Sequence, residues 1–333
     1  MRLILTALAC IAAALGCADS PPELRVGDGA AAQGADTSFS ARRPEAGRAP
    51  EASTPDVIEV IDDAGYLVRL SAPARRILSL IPARTDVLLA MGVVDRLIAR
   101  TRYDEDARLA HLASLGDALT PSVEWIAAER PDLVIAWPDA QSRDVVQRLI
   151  ELGVPVYGSR VETLGDIDRA IRHLGRLLAL ETRADSISRA IRAEHDRVRA
   201  AVAGRDRPGV LYLIGLEPVI AAGPGTFVHE LIDIAGGRNI FADVQALWPR
   251  VSLEEIVRRD PAVIVMASGD VAAGDLARRL AARAGWRNVT AVRTGRVYRV
   301  DPSVFNRPGP SVGEAAAELG RLLHPDVAVG GAP

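Results

Sequence analysis

Between Pro155 and Pro208 the chain carries no proline, and no other stretch narrows the possible folds as much. A proline inside a helix removes a hydrogen bond and clashes with the preceding turn, so this interval is open to long helices. Thr163 to Ala203 reads as helical, with a break near the segment ALETRA dividing it in two. The second helix places Ile187, Ile191, Val198 and Val202 on one stripe at three- to four-residue and heptad spacings. At 1.5 Å per residue, about 22 residues span roughly 33 Å. That is the length of a strut.

On either side of the strut, helix-like and strand-like segments alternate. VIEVIDDAGYLVRL alternates apolar and polar residues around Asp-Asp-Ala-Gly, a hairpin signal. RRILSLIP then reads as a buried strand and TDVLLAMG as a short helix ending at Gly92. Strand-like RLIAR, helix-like SVEWIAAE, strand-like DLVIAW, helix-like SRDVVQRLIELG and strand-like VPVYG follow. After the strut the alternation restarts with VLYLIG, TFVHELIDIAGG, SLEEIVRR and AVIVMA. A helix near Ala277 to Arg283, strand-like RVYRV and a last helix over Gly313 to Leu323 complete it. Such alternation predicts α/β architecture with a mostly parallel sheet, here twice over. The expected organisation is two Rossmann-like α/β lobes, 56–162 and 205–327, joined by helices over 163–204.

An internal repeat strengthens the two-lobe reading. VEWIAAERPDLVIAW (123–137) and LEEIVRRDPAVIVMA (253–267) align without a gap, pairing Glu124 with Glu254, Ile126 with Ile256 and Pro131 with Pro261. The match is either a true repeat or the common helix–Pro–strand grammar of α/β chains. In both copies the first glutamate falls in the first helical turn, where a carboxylate suits the helix dipole. Ser252 and Glu255 form a capping-box pattern, which leaves Glu254 free of the cap.

The N-terminus MRLILTALACIAAALGC has one arginine, an apolar stretch of signal-peptide length and small residues before Cys17. AALGC resembles a bacterial lipobox, which would make Cys17 the lipidated first residue of the mature chain and 1–17 a lipoprotein signal peptide. An ordinary cleaved signal with an incidental cysteine is the alternative. Both cysteines of the chain, Cys10 and Cys17, lie in this segment, so the folded part is left without thiols for disulfides or metal ligation. From 18 to 55 the composition is Ala, Gly, Ser, Pro, Arg and Glu with almost no large apolar residue. It cannot bury enough surface to fold and is expected to be a disordered tether. The whole chain then sits, exported, off a membrane surface. A net charge of −3 and the absence of a long basic run give no support to nucleic-acid binding.

Candidate chemistry is sparse. His111, His173, His195, His229 and His324 form no HxH or HxxxH pair, which speaks against a histidine-built metal site. GPGTF lacks the Lys-Ser/Thr of a phosphate loop, and no GxSxG elbow is present. The aromatic residues say more. Trp137 ends a strand, Tyr103 follows one, and Trp248 and Phe305 lie in loops of the second half. Ligands of α/β sheets bind outside the carboxyl ends of strands, and large aromatics there offer flat apolar faces. As a group they predict a cleft between the lobes, with Trp125 and Trp286 left to packing. Arg307 either serves an anionic or amide-rich part of a ligand or is a solvated loop charge.

The segments RILSLIPARTDVLLAMGVVDRLIARTRYD, SLGDALTPSVEWIAAERPDLVIAW, AGGRNIFADVQALWPRVSLEEI and GRVYRV…FNRPGP, in this order over about 75–325, resemble the binding proteins of ABC importers for cobalamin, haem and iron–siderophores. PDLVIAW and GGRNIFADVQALWPRVSLEEI are most similar to the cobalamin-binding branch. The resemblance implies the class III periplasmic binding protein fold, two lobes on a rigid helix, and a non-catalytic role without a cofactor of its own. It implies a ligand site at Tyr103, Trp137 and Trp248 with Arg307 as a polar contact. Glu124 and Glu254 would dock on an ABC permease dimer served by its ATPase, with Asp86 a further acidic candidate. A monomer capturing cobalamin or a related corrinoid is the implied function; an iron-siderophore or haem is the alternative ligand, and a surface enzyme modifying such a ligand the alternative class. Ile214 stands where the cobalamin binder has an aromatic, Ser311 replaces a frequent Arg, and Asp117 occupies the position of a haem-ligating Tyr.

Overall fold

The structure is a computed structural model that describes residues 57–118, 121–269 and 275–329. The expected signal segment with Cys17 and the expected tether lie outside the described residues. β1 (Ile58–Ile61) and β2 (Leu67–Leu70) pair antiparallel. The Asp62 carboxylate closes their turn by accepting from the N–H groups of Ala64 and Tyr66 at 2.9 and 2.8 Å, an Asx-turn arrangement. Its other oxygen accepts from Gly158 N–H at 2.9 Å, which ties the hairpin to the first lobe.

That lobe alternates as its sequence predicts. β3 (Ile77–Ser79) leads into α1 (Pro82–Met91), α2 (Val123–Ala128) into β4 (Leu133–Ala136), and α3 (Arg143–Glu151) into β5 (Val156–Gly158). The three strands form a parallel sheet in the order β3-β4-β5. Every residue of the three is buried, as parallel strands covered on both faces require. RLIAR departs from expectation. It contributes isolated ladder pairings, Leu97 with Ile77 and Arg100 with Ser114, rather than a strand. Its first residue, Arg96, is taken up in a 3-10 turn over Val94–Arg96.

The strut consists of α4 (Leu164–Leu178) and α5 (Glu181–Val202). A capping box starts α4: Thr163 Oγ1 accepts from Asp166 N–H at 3.1 Å and the Asp166 carboxylate from Thr163 N–H at 2.9 Å. The break falls at Ala179, whose φ of 54° ends α4. α5 buries Ala184, Ser188, His195, Val198 and Val202, while Ile187 and Ile191 are half-buried. The stripe is therefore right in period and shifted slightly in phase. Two glycines, one in α4 and one in the last helix, seat α5. A Cβ on Gly175 of α4 would lie 2.5 Å from Ala184 Cβ, and one on Gly313 would lie 3.3 Å from Glu194 Cβ. The first contact packs the two strut helices on each other, and the second fixes α5 against the last helix of the second half.

The second lobe contains β6 (Gly209–Leu216), β7 (Val219–Ala221), α6 (Phe227–Ile234), β8 (Arg238–Asn239), α7 (Leu253–Arg259) and β9 (Val263–Ala267). It is completed by α8 (Asp275–Ala281), α9 (Thr290–Arg293), β10 (Val297–Val300), α10 (Pro302–Phe305) and α11 (Val312–Leu323). Its sheet runs β10-β9-β6-β7 with β8 also on β6, and β7 is the antiparallel member. Each lobe has its own core, around Leu78, Ile126 and Val134 in the first and Leu211, Ile264 and Trp286 in the second. Burying one such large apolar side chain is worth about 1.5–3 kcal/mol.

The repeat is structural. Ser122 and Ser252 cap α2 and α7 through the same hydrogen bond, to Trp125 N–H and Glu255 N–H, each at 3.1 Å. Ile126 and Ile256 are both fully buried. Both helices then pass through a non-glycine residue at positive φ, Arg130 at 48° and Asp260 at 40°, before the proline and the buried strand.

Candidate functional site

The segments that leave the carboxyl ends of β3 and β10 meet across the two lobes. From β3 the chain passes through Leu80 and Ile81 into α1; from β10 it passes through α10 into residues 306–310. Arg84 Nη2 of α1 donates to the Pro308 carbonyl at 2.5 Å. Arg307 Nη2 donates to the Tyr103 carbonyl, and its Nη1 lies 3.7 Å from the Asp86 carboxylate. Gly309 has no side chain to hold the strands of this seam apart: a Cβ there would come 3.1 Å from the Ala83 carbonyl.

Nearer the strut the lobes cap each other. Phe227 N–H, at the start of α6, donates to the Glu162 carbonyl. Leu164 N–H, at the start of α4, donates to Glu230 Oε2 of α6 at 2.6 Å. Each helix start has orphan N–H groups; one at the start of α6 is satisfied by the first lobe and one at the start of the strut helix α4 by the second.

Tyr103, Asp86 and Arg307 are thus brought into one cluster. The Tyr103 turn is held by Asp104, whose carboxylate accepts from Thr101 N–H and Oγ1, both at 2.7 Å. Arg102 donates to the Tyr103 hydroxyl at 2.6 Å, and its guanidinium lies 4.8 Å from the ring centre. Trp137 stands directly after β4, half-buried, packed against the first lobe's core. Trp248 is half-buried on a segment hydrogen-bonded alongside β7: Gly223 N–H donates to the Leu247 carbonyl at 2.7 Å and Ala221 N–H to the Pro249 carbonyl at 3.1 Å. Only glycine fits at 223, since a Cβ would sit 2.0 Å from the Ala246 carbonyl.

Phe305 departs from the sequence expectation. Its ring is 0% exposed and stacks on Tyr212, with centroids 6.4 Å apart, so it has no face to offer a ligand. The cause is α10, which turns it inward. Ser311 donates to the Val304 carbonyl at 3.2 Å, and Asp117 pairs with Arg102 at 2.7 Å.

The electrostatics of the seam follow from burial. Asp86 is pushed up by desolvation, with the charge of Arg307 opposing. Glu162 is likewise raised by burial, against Arg160. Arg84 was missed by sequence reasoning, and burial lowers it to about 10. One signal was available: a cation in the first turn of a helix opposes the dipole, and α1 has no acidic residue in that turn.

Glu124 and Glu254 are exposed on the first turns of α2 and α7. Glu124 accepts from its own cap residue, Ser122 Oγ, at 3.2 Å. Among the described residues no group of three or more His, Cys, Asp or Glu side chains is arranged to hold a metal. No described helix is long and apolar enough to cross a membrane.

Comparison with known proteins extends these observations. A family model described as "Periplasmic binding protein" matches residues 77–304. The chain is 29% identical over 249 residues to the vitamin B12-binding protein of Vibrio cholerae serotype O1, covering 74% of this chain and 88% of that protein. It is 26% identical over 275 residues to an uncharacterized ABC transporter substrate-binding lipoprotein of Bacillus subtilis, covering 80% and 85%. Among solved structures, the periplasmic vitamin B12 binding protein of Vibrio cholerae superposes with a TM-score of 0.65 at 28% identity, over 75% of this chain and 97% of that one.

Proposed function

Because the chain belongs to the periplasmic binding protein family, we propose that it is the substrate-binding lipoprotein of an ABC importer and that its ligand is cobalamin or a related corrinoid. The observation that carries the ligand reading is the match to a vitamin B12-binding protein over 88% of that relative's length, through both lobes. Half-buried Trp137 and Trp248 support it: a corrinoid is a large ring with an amide-rich rim, suited to apolar faces with a few polar contacts. Tyr103 and Arg307 meet at the seam and supply such contacts.

The mechanism is capture and delivery without chemistry. Strut and reciprocal caps hold the lobes near one separation, so binding proceeds with modest lobe motion. Glu124 and Glu254, one per lobe, dock into cationic pockets of a permease dimer through charge-assisted bonds that fix orientation. A lipid on Cys17 and the 18–55 tether keep the monomeric protein at the membrane, exported to the periplasm or the outer face of the cell. The Bacillus relative described as a lipoprotein supports that part.

Titration of purified protein with cobalamin, haem and a ferric siderophore tests the ligand. Tight cobalamin binding is expected; absence of it beside tight binding of another ligand sinks the corrinoid assignment and leaves the transport role.

A further inference from the structure

Arg84 occupies the third position of α1, just beyond the carboxyl end of β3, and is 1% exposed. Its Nη2 has the Pro308 carbonyl, while among the described residues Nε and Nη1 have no acceptor. A guanidinium brings five N–H donors and stays charged in proteins, so one neutral carbonyl is poor compensation for its burial. Nearby carboxylates are committed elsewhere. Asp63 pairs with Arg169 at 3.0 Å, and Asp86 faces Arg307. Among the described residues no carboxylate forms an ion pair with Arg84. The start of α1 adds its own positive end to the same place. Buried polar groups left without partners are rare and call for an explanation, and an unpaired buried charge is costly.

We infer that Arg84 is an anion-binding residue of the interlobe site, and that the ligand carries an oxyanion, phosphate or carboxylate, that its free nitrogens take up. This rests on the reading of the seam as the ligand site and adds a chemical group to it. Pro308, whose carbonyl Arg84 meets, and Gly309, which packs on the Ala83 carbonyl, lie on the carboxyl side of β10. They are tied across the seam by Arg84 itself and by Arg307. A shift of that short segment opens the guanidinium to the crevice. Arg–oxyanion bonds are charge-assisted and geometrically selective. In a corrinoid the oxyanion is the phosphodiester of the nucleotide tail; in haem it is a carboxylate.

Two ligand pairs that differ in the oxyanion test the inference: cobalamin against cobinamide, which lacks the nucleotide tail, and haem against haem dimethyl ester. Affinities are measured by calorimetry for the wild type, R84M and R84Q. The wild type is expected to favour the charged member of the pair it binds by about ten- to hundred-fold. R84M and R84Q should shrink that ratio to about three-fold or less, with the affinity for the uncharged member preserved. A wild-type ratio near one, or a ratio that survives in both variants, overturns the inference. Should the variants fail to fold, the wild-type ratio decides. If neither corrinoid binds but haem does so with an Arg84-dependent ratio, the corrinoid reading falls and the role of Arg84 stands. If cobalamin binds with a ratio indifferent to Arg84, the outcome is reversed.

Discussion

Helices α2 and α7 share a cap, a buried isoleucine and a strained exit, yet they sit in different electrostatic surroundings. After Glu124 comes Trp125, a half-buried ring packed on the first lobe's core. After Glu254 comes Glu255, the centre of a charge network: Arg258 and Arg259 each donate to its carboxylate at 2.5 Å, and Arg259 also reaches Asp243 at 2.6 Å. The Arg259 guanidinium lies 4.8 Å from the Phe241 ring. One copy is anchored by apolar packing and the other by ion pairs. Both leave the first glutamate outward. The first glutamate, the serine cap and the buried isoleucine are kept, and the position after the glutamate is the one that varies.

The largest expected effect tests what is kept. Charge reversal of both outward glutamates, E124R with E254R, should abolish uptake by cells while leaving ligand affinity unchanged, and each single change should give an intermediate loss. Lost ligand binding in the double variant would contradict a docking role. A smaller effect separates the strained exits. Arg130→Gly relieves a positive φ that glycine adopts freely, and should stabilise the protein by about 0.5–1 kcal/mol in denaturant melts. Asp260→Gly relieves the same strain but removes the carboxylate that accepts from Thr290 N–H and Oγ1, both at 2.7 Å. It should gain nothing or lose stability. Equal gains at the two sites would mean that the Thr290 bonds contribute nothing.

The smallest effect is in pH. Hydrogen bonds from Arg258 and Arg259 hold the Glu255 carboxyl below its usual range, and one from Arg259 does the same for Asp243. A folded-state value that is depressed stabilises above the unfolded value of about 4, and that contribution is lost as pH falls through the folded value. Thermal melts from about pH 5 downward should therefore fall less steeply in E255Q than in the wild type. Trp125, at the equivalent place in α2, cannot titrate, and W125F should leave the slope unchanged.

The α/β alternation was legible because its signal is local: apolar runs, caps and a proline-free interval each act within a few residues. The repeat was legible for the same reason, down to the Ser252 cap; Glu255 was read as the reciprocal partner of that cap, but its carboxylate pairs with Arg258 and Arg259 instead. Phe305 was misread as a loop aromatic because its partner, Tyr212, lies in β6 and nothing nearby signals their stacking. The tie made by Arg84 was invisible because its acceptor, the Pro308 carbonyl, lies 224 residues away. Strand RLIAR was overread: its composition suits a strand, but it meets its neighbours through two isolated pairings, to Ile77 and Ser114, rather than a continuous ladder.

The seam also sets an order of events. Each lobe contains the apolar residues for its own core, and contacts within a lobe form over short loops. The ties across the seam join residues separated by 224 and 204 positions, and Gly313 completes the seat of the strut only when α11 arrives. Long loops close late. A chain emerging from its N-terminus can settle its first lobe early, but it remains without a crevice until its last few dozen residues are delivered. The interlobe seam is then the final thing the molecule makes, and a partly synthesised chain lacks it.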